Sequence, residues 1–549
     1  MQNHWFVILP PILVVLLAFV TRRVVFSLVM GILSAALIAY DFNIFQAVPA
    51  IGLRIAKILE LDKLTSWETV WTCSNLFICL FLLMLTIIIV MMQESGGGYA
   101  YGAFIIKRLK SAQKAEAASL IMSMFFFIDD YFSSLTVGSV MQPITDQFKV
   151  PRVKLAVLVN SVAAPLAIMF PLTSWMAEIV GQFRNSGISS TVTQTTLVAS
   201  DPFFVYTNMI PFLFYSLILI VSLWFIVLGR ISYGVIAQHE TIAQTTGDLF
   251  ANKVPVVRRM SEISEEKKRT SSIIDFLFPI GILLLAIGKE TLYFGGYSLF
   301  GGPNDFLTAI EKSNIFAALF MGSVIATIAS CIFFVARKKI ALGRLPKIAQ
   351  EGFGLIASAI MVLVLIWTLS SFLKDDLATG QYLASNLIGY IDIAYIPVMF
   401  FLVAVAASAM MGSAWGTIGM LVPLGIPMLI SFVQSTPPVE LGELPMLLPL
   451  LGAIISGAVV GNHISPIADV MLMSATSTGA YHLDLVKAQV SLTIPTVISS
   501  ALAYFITGCY LSEFGITKTI MLSVAAGILL NFIILYLLHV LHKIRTRKN

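Results

Sequence analysis

The stretch FFFIDDYFSSLTVG, residues 125–138, sets two carboxylates, Asp129 and Asp130, behind a run of phenylalanines and ahead of Ser133, Ser134 and Thr136. A charge at the centre of a membrane helix costs roughly 2.5–3.5 kcal/mol even on the insertion scale, so a carboxylate kept in this setting implies a use for it. Carboxylate and hydroxyl oxygens are hard donors that suit a small cation such as sodium better than a soft metal. A desolvated carboxylate can hold either a cation or a proton, which lets the two compete for one position. Adjacent aspartates cannot face one way on a helix. At least one of the pair is therefore an expected ligand; both Asp129 and Asp130 are candidates, with Asp469, to hold the cation or proton, and the competing reading gives one of them the role of capping a broken helix end. Asp130, nearer the hydroxyls, is the expected ligand.

Similar groups recur in three other apolar segments: NSVAAPLAIMFPLTSW (160–175), MMGSAWGTIGMLVP (410–423) and SGAVVGNHISPIADV (456–470). Their glycines and prolines interrupt helix. Non-helical backbone at membrane depth survives only inside protein or along a wet cavity, so the four interruptions are expected to meet at one site. The candidate ligands there are Thr173, Ser174, Ser413, Thr417, Asn462, Ser465 and Asp469, with His463 tuning the local charge and Glu178 nearer the end of its span. Asp130 and Asp469 are the sodium candidates. The competing readings are structural: hydroxyls bonded to the preceding turn, a satisfied core histidine, and small residues that only permit close helix packing.

The elements that must position these groups are membrane spans. Of 549 residues, 58% are hydrophobic and 11% charged, with a mean hydropathy of +0.92, against about 25% charge in a soluble globule. Continuous apolar runs of roughly 17–25 residues, the length that crosses a hydrocarbon core of about 30 Å, predict an all-α polytopic membrane protein. An alternating outer-membrane barrel pattern is absent. The N-terminal segment lacks a basic leader and a small-residue cleavage site, so it is expected to remain as the first span. Cys73, Cys79, Cys331 and Cys509 lie in apolar segments without C-x-x-C spacing and are expected in the core. The net charge of +5 is gathered in loops beside spans, which is a topology signal and gives no reason to invoke nucleic acid.

Basic residues cluster at Arg22 and Arg23, Lys107–Lys114, Lys149–Lys154, Arg230–Arg269, Arg337–Lys347 and Lys543–Lys548. With all of these clusters cytoplasmic, spans near 5–21, 24–40 and 70–92 cross in turn. Residues 115–148 then have both ends inside and must form a hairpin. Spans near 155–179 and 203–229 follow, joined by the lysine-free loop NSGISSTVTQTT. The second half has spans near 273–291, 313–335 and 351–373, and counting back through 518–541, 491–509 and 446–470 leaves 390–433 with both ends outside. Each half reads as an inverted copy of the other, and TVGSVMQP and TIGMLVP match weakly between them. The predicted organisation is a first transmembrane repeat over 1–229, a cytoplasmic basic loop over 230–272, a second inverted repeat over 273–509, and an extra helix with a basic tail over 510–549. Inverted repeats with broken helices and two re-entrant hairpins mark a secondary transporter.

Over Phe127–Trp175, and again at GSAWGTIGMLVP and GNHISPIADVMLMSATSTGAYHLDLVKAQV, the chain resembles the NhaC-type sodium/proton antiporter family of the wider ion-transporter superfamily. These blocks cover about a fifth of the chain, and their order extends the resemblance over most of it. The family pattern has Gly-Asp-His where this chain has Gly461, Asn462 and His463, and Gly-Thr-Ser-Trp-Gly-Thr where this chain has Gly-Ser-Ala-Trp-Gly-Thr. Losing the acid changes the charge the site can neutralise. The resemblance also takes in exchangers of organic solutes.

The resulting expectation is secondary active transport by alternating access, with sodium/proton antiport first and a sodium- or proton-coupled carrier of organic acids or amino acids second. It implies no enzyme and no resident cofactor, Na+ and H+ as cargo, the lipid bilayer as partner, and a multi-pass position in the inner (cytoplasmic) membrane. A homodimer is left open. An intramembrane aspartyl protease would need a Gly-x-Gly-Asp block, which neither Asp130 nor Asp469 has. HETIA at His239 lacks the second histidine of a zinc protease. ESGGGYAYG (94–102) lacks the Gly-Lys-Ser/Thr ending of a phosphate loop and reads as a linker. A channel would show currents above carrier rates.

Overall fold

The computed structural model describes residues 5–65, 67–98, 100, 109–171, 173–253 and 271–548. In the first half the helices are α1 (Leu9–Thr21), α2 (Val24–Ala39), α3 (Ile44–Ile58), α4 (Ser74–Ser95), α5 (Ala112–Phe125), α6 (Asp130–Gln147), α7 (Arg152–Ala167), α8 (Ser174–Asn185), α9 (Pro202–Met209), α10 (Phe214–Gly229) and α11 (Gly234–Thr246). In the second half they are α12 (Ile274–Phe294), α13 (Ile315–Ala336), α14 (Leu345–Ser371), α15 (Thr379–Leu387), α16 (Ile396–Met411), α17 (Ala414–Val433), α18 (Leu447–Ile464), α19 (Asp469–Thr478) and α20 (His482–Lys548). Among the described residues, nine helices are long and apolar enough to cross a membrane. Leu285, Ile332 and Leu529 are exposed on them, as side chains should be where lipid is the solvent.

The helical stretch of α20 is too long to be one crossing, at about 1.5 Å rise per residue. It breaks at Gly515, whose φ of 73° and ψ of 169° are not helical. The two arms then run back along each other: Thr507 Oγ1 lies 2.8 Å from Ser523 Oγ, and Asn531 Nδ2 donates to Thr496 Oγ1 at 3.3 Å. These are the separate spans expected near 491–509 and 518–541.

The chain forms two compact units. One comprises residues 1–48, 109–258 and 369–549, and the other 49–108 and 259–368. In the smaller unit, α4 and α12 both pack on α13, where Phe77 stacks on Phe320 at 4.9 Å. The buried Asp275 at the start of α12 is held there by Arg337 at 3.0 Å and Lys339 at 3.6 Å. The larger unit holds all four interrupted segments. Within it α5 packs on α6 and α16 on α17, and α7 and α18 pack on these pairs.

Three features depart from the expectation of helices joined by loops. Ile188–Ser189, Val198–Ala199 and Val439–Glu440 form a parallel three-stranded sheet, with the second strand in the middle. Its first two strands lie in and beside the Ser/Thr-rich loop, where backbone outside the spans has no helical partners and pairs across instead. The basic loop contains α11, which docks through Lys154: its Nζ reaches Glu116 of α5 at 2.9 Å and also contacts Glu240. The amphipathic α3 was not anticipated. Of the stretch ESGGGYAYG, residues 99, 101 and 102 lie outside the described residues; Gly96 ends α4 with φ of 75°, and Gly97, Gly98 and Ala100 are again helical, so the described part is a turn between helices rather than an open linker.

Candidate functional site

The first interruption falls between α5 and α6. Asp129 is extended (φ −152°, ψ 136°) and caps α6: its Oδ1 accepts from the Phe132 amide at 2.9 Å. Its Oδ2 accepts from Ser174 Oγ at 2.9 Å, and the Ser174 amide donates to the Ile128 carbonyl at 3.2 Å. Asp129 is thus occupied twice, once as a cap and once as the tie to the start of α8. Asp130, 1% exposed, is the first residue of α6, and its Oδ1 accepts from the Tyr131 amide at 3.1 Å. It stands at the positive end of the helix dipole, which favours an anion there.

One turn further on, Ser133, Ser134 and Thr136 are buried, and their hydroxyls have no hydrogen-bond partner among the described residues. A hydroxyl inside a helix ordinarily donates to the carbonyl of the turn before it. Ser139 and Thr145 of the same helix do so, to Leu135 at 2.8 Å and Met141 at 3.0 Å. The donor oxygens of α6 are therefore free near the carboxylate and satisfied away from it.

The second interruption separates α7 from α8. Thr173 caps α8 by accepting from the Met176 amide at 3.0 Å and donates to the Ala167 carbonyl at 2.7 Å. The Tyr206 hydroxyl donates to the Ile168 carbonyl at 2.9 Å. The carbonyls orphaned at the end of α7 are thereby met by side chains.

At the third interruption Gly412, in the left-handed region at φ 66°, ends α16, and Ser413 caps α17 by accepting from the Gly416 amide at 3.1 Å. A Cβ on Gly412 would lie 2.5 Å from Ile467 Cγ1, which sets this turn against the fourth interruption. Thr417 donates to the Ser413 carbonyl at 3.0 Å. Asn462 Oδ1 accepts from the Ala414 amide at 3.2 Å, so the amide that replaces the family acid pins the start of α17. His463 is fully buried, with Nδ1 2.7 Å from the Tyr215 hydroxyl. Ser465 follows with its hydroxyl unpartnered among the described residues. Asp469 opens α19 with an exposed side chain.

The interruptions are brought together crosswise. The half-helix α8 packs on α17, while α19 packs on α6. Trp175 meets Trp415 edge-on with ring centroids 5.9 Å apart. Ser477 donates to the Ser134 carbonyl at 2.7 Å, and a Cβ on Gly138 would fall 2.0 Å from Ser477 Oγ. Tyr131 lies within electrostatic reach of Asp129, Asp130, Asp469 and Glu178. Among the described residues, no three His, Cys, Asp or Glu side chains converge at metal-ligating distance. A cation here would be held by one or two carboxylates with hydroxyl and carbonyl oxygens.

Of the sequence candidates, Ser133, Thr136 and Ser465 present hydroxyls unpartnered among the described residues, Asp130 accepts from its neighbouring backbone amide, and Thr173, Ser174, Ser413, Thr417 and Asn462 spend their oxygens on backbone or on Asp129. Glu178 carries the least weight when read from residue types alone. It is fully buried, and both of its carboxylate oxygens lack a partner among the described residues. The only signal for it is its spacing of four from Ser174 and from Gln182, which puts the three on one helix face.

Broken helices that gather carboxylates and hydroxyls inside apolar spans define a secondary transporter of small solutes. The chain belongs to the Na+/H+ antiporter family, which it matches over residues 166–509, more than half its length. It is a multi-pass membrane protein and not an enzyme. The match begins after the first interruption, so Asp129 and Asp130 lie outside it. The chain is 27% identical over 504 residues to an uncharacterized protein of Haemophilus influenzae, covering 91% of this chain and 90% of that one. Among solved structures it is similar to the YdaH transporter of Alcanivorax borkumensis (TM-score 0.46, 12% identity, 80% of this chain and 85% of that one). It is also similar to MtrF of Neisseria gonorrhoeae, described as illuminating a class of antimetabolite efflux pumps (TM-score 0.48, 13% identity, 78% of this chain and 80% of that one).

Proposed function

We propose that the protein exchanges sodium for protons, with Asp130 holding the two ions in turn and Ser133, Thr136 and Ser465 completing the sodium shell. The observation that carries this reading is the buried Asp130 at a half-helix start, followed within two turns by three buried hydroxyls with no hydrogen-bond partner among the described residues. Asp129 fixes the geometry, His463 and Tyr215 set the local polarity, and Asp469 guards the exposed side.

In this reading α5–α6 and α16–α17 are the two gates, opening to opposite sides of an inner membrane. The segments 1–229 and 273–509 are inverted repeats, with 230–272 cytoplasmic. Support comes from their matching construction: a helix, a tight turn, an N-cap that accepts from the third residue on, then a span broken before a half-helix. Each helix of the second pair, but neither of the first, is long and apolar enough to cross by itself among the described residues. A re-entrant pair and a pair that crosses and returns both bring the chain back to the side it left, so the charge-based topology holds for either.

The test is flux in proteoliposomes loaded with sodium, reading internal pH and solute uptake together. Exchange predicts acidification of the lumen as sodium leaves, without an organic solute. With the sodium gradient reversed, sodium-driven uptake of an amino or dicarboxylic acid with no pH change would replace this reading with the organic-solute carrier.

A further inference from the structure

Among the described residues of the larger unit, Glu178 is a buried acid with neither a task in the exchange mechanism above nor a positive partner, whereas the buried Glu116 and Asp484 are paired with Lys154 and Lys253. Ser174, Glu178 and Gln182 share a face of α8, and all are buried to within 1%. Ser174 holds Asp129, and Asp130 lies within electrostatic reach of Glu178. Beyond it, Gln182 Nε2 donates to Ser370 Oγ at 3.1 Å, Ser186 Oγ at 3.2 Å and the Gly419 carbonyl at 3.3 Å, while its Oε1 has no partner among the described residues. A file of polar groups therefore runs inside the protein from the first interruption to the Asn185 end of α8.

The charge surroundings are as informative as the file. Helix α17 carries no ionisable residue, and neither does the strand Ile188–Ser189. From α9 comes Tyr206, whose hydroxyl is bonded to Ile168 and Phe170. The cations of α7 are engaged elsewhere, Arg152 with Asp146 and Lys154 with Glu116. From α6 the groups within electrostatic reach of Glu178 are Asp130 and Tyr131, and Lys374, beyond the end of α14, is engaged with Asp375 and the Asn185 carbonyl at the far end of α8. An unpaired carboxylate withdrawn from water costs several kcal/mol even after relaxation. The Glu178 carboxyl therefore needs a positive partner that none of these side chains supplies: a proton on one of its oxygens, or a metal cation.

We infer that Glu178 is a second monovalent-cation position, taking H+ or Na+, on the route between Asp130 and the Asn185 end of α8; this rests on the exchange reading. Gln182, whose free oxygen is one turn away, is the next acceptor along that route.

Two measurements test it. In proteoliposomes, Glu178→Gln cuts exchange roughly 100-fold, as removal of a proton-transferring group does, and Glu178→Asp retains exchange with an altered pH profile. Wild-type rates in Glu178→Gln, or an unaltered profile in Glu178→Asp, would overturn the proposal. Radioactive sodium binding to the purified variants then assigns the ion: an unchanged number of sodium ions per chain in Glu178→Gln means a proton position, and a loss of one means a sodium position. Independently of what the wild type transports, dicyclohexylcarbodiimide should modify Glu178 in the intact protein, read by mass spectrometry, with sodium or alkaline pH protecting it. No label at Glu178 at any pH would overturn the proposal. Failure of wild-type vesicles to exchange sodium for protons would instead remove the exchange reading, and the labelling would still decide Glu178.

Discussion

The turns before α6 and before α17 are built alike and equipped differently. Each follows a helix that ends on a tight turn, and each is capped by a side-chain oxygen that accepts from the third residue on, Asp129 from Phe132 and Ser413 from Gly416. After the first cap come a buried carboxylate and three idle hydroxyls. After the second come Ala414, Trp415 and Thr417, whose hydroxyl is spent on the Ser413 carbonyl. On the proposed reading, the same backbone device serves as a ligand cradle after Asp129 and as a packed hinge after Ser413. Hydroxyls in a broken helix become ligands only where the surrounding backbone leaves them nothing to bond.

The largest effect should fall on the cradle. Asp130→Asn keeps the size of the side chain and removes its titration, and sodium/proton exchange should fall by roughly 100-fold with the protein still folded by size-exclusion chromatography. Asp129→Asn should retain partial exchange, since asparagine caps a helix about as well as aspartate. Equal rates in both variants would erase the distinction between cap and ligand.

The hinge should answer in stability instead. Gly461 lies where a Cβ would come 2.1 Å from Ser408 Oγ, whose proton is already given to the Ala458 carbonyl at 2.6 Å. Gly461→Ala should cost about 1–3 kcal/mol, seen as a lower melting temperature in detergent, with sodium affinity unchanged in the folded fraction.

A paired serine experiment sharpens the contrast. Ser413→Ala should lose about 1 kcal/mol of stability, the worth of a cap, and keep its sodium affinity. Ser133→Ala removes a buried hydroxyl that has no partner among the described residues, so stability should hold while sodium affinity weakens by about fivefold, the equivalent of one ordinary hydrogen bond. The smallest effect is expected for Asn462→Asp. It keeps the acceptor for Ala414 and adds an acid beside His463, so it should change the pH dependence of exchange rather than the maximum rate. An unaltered profile would put position 462 outside the site.

Much of this was legible in the sequence because the signals are physical punctuation. Gly, Pro and small hydroxyl residues inside apolar runs marked all four interruptions, and Gly515 divides two spans that were already separate by hydropathy. The division of labour among the hydroxyls was not legible. Whether Thr136 or Thr417 bonds its own helix depends on backbone placement at ångström scale, which residue type does not encode. Glu178 is hard to weigh from sequence because the apolar run through residues 155–179 reads as one span with the acid near its end. The chain instead restarts at Ser174, so Glu178 sits one turn inside a new half-helix, facing protein. The small sheet escaped because two-residue strands leave no period to read.

The proposed exchange requires a cation bound at Asp130, and its most direct test is equilibrium binding of radioactive sodium to the purified protein over a range of pH. Wild type should bind sodium saturably, with acid weakening the affinity by about tenfold per pH unit where one proton displaces one ion. Asp130→Asn should lose this binding and Ser413→Ala should keep it. Undiminished, pH-sensitive sodium binding by Asp130→Asn would contradict the account.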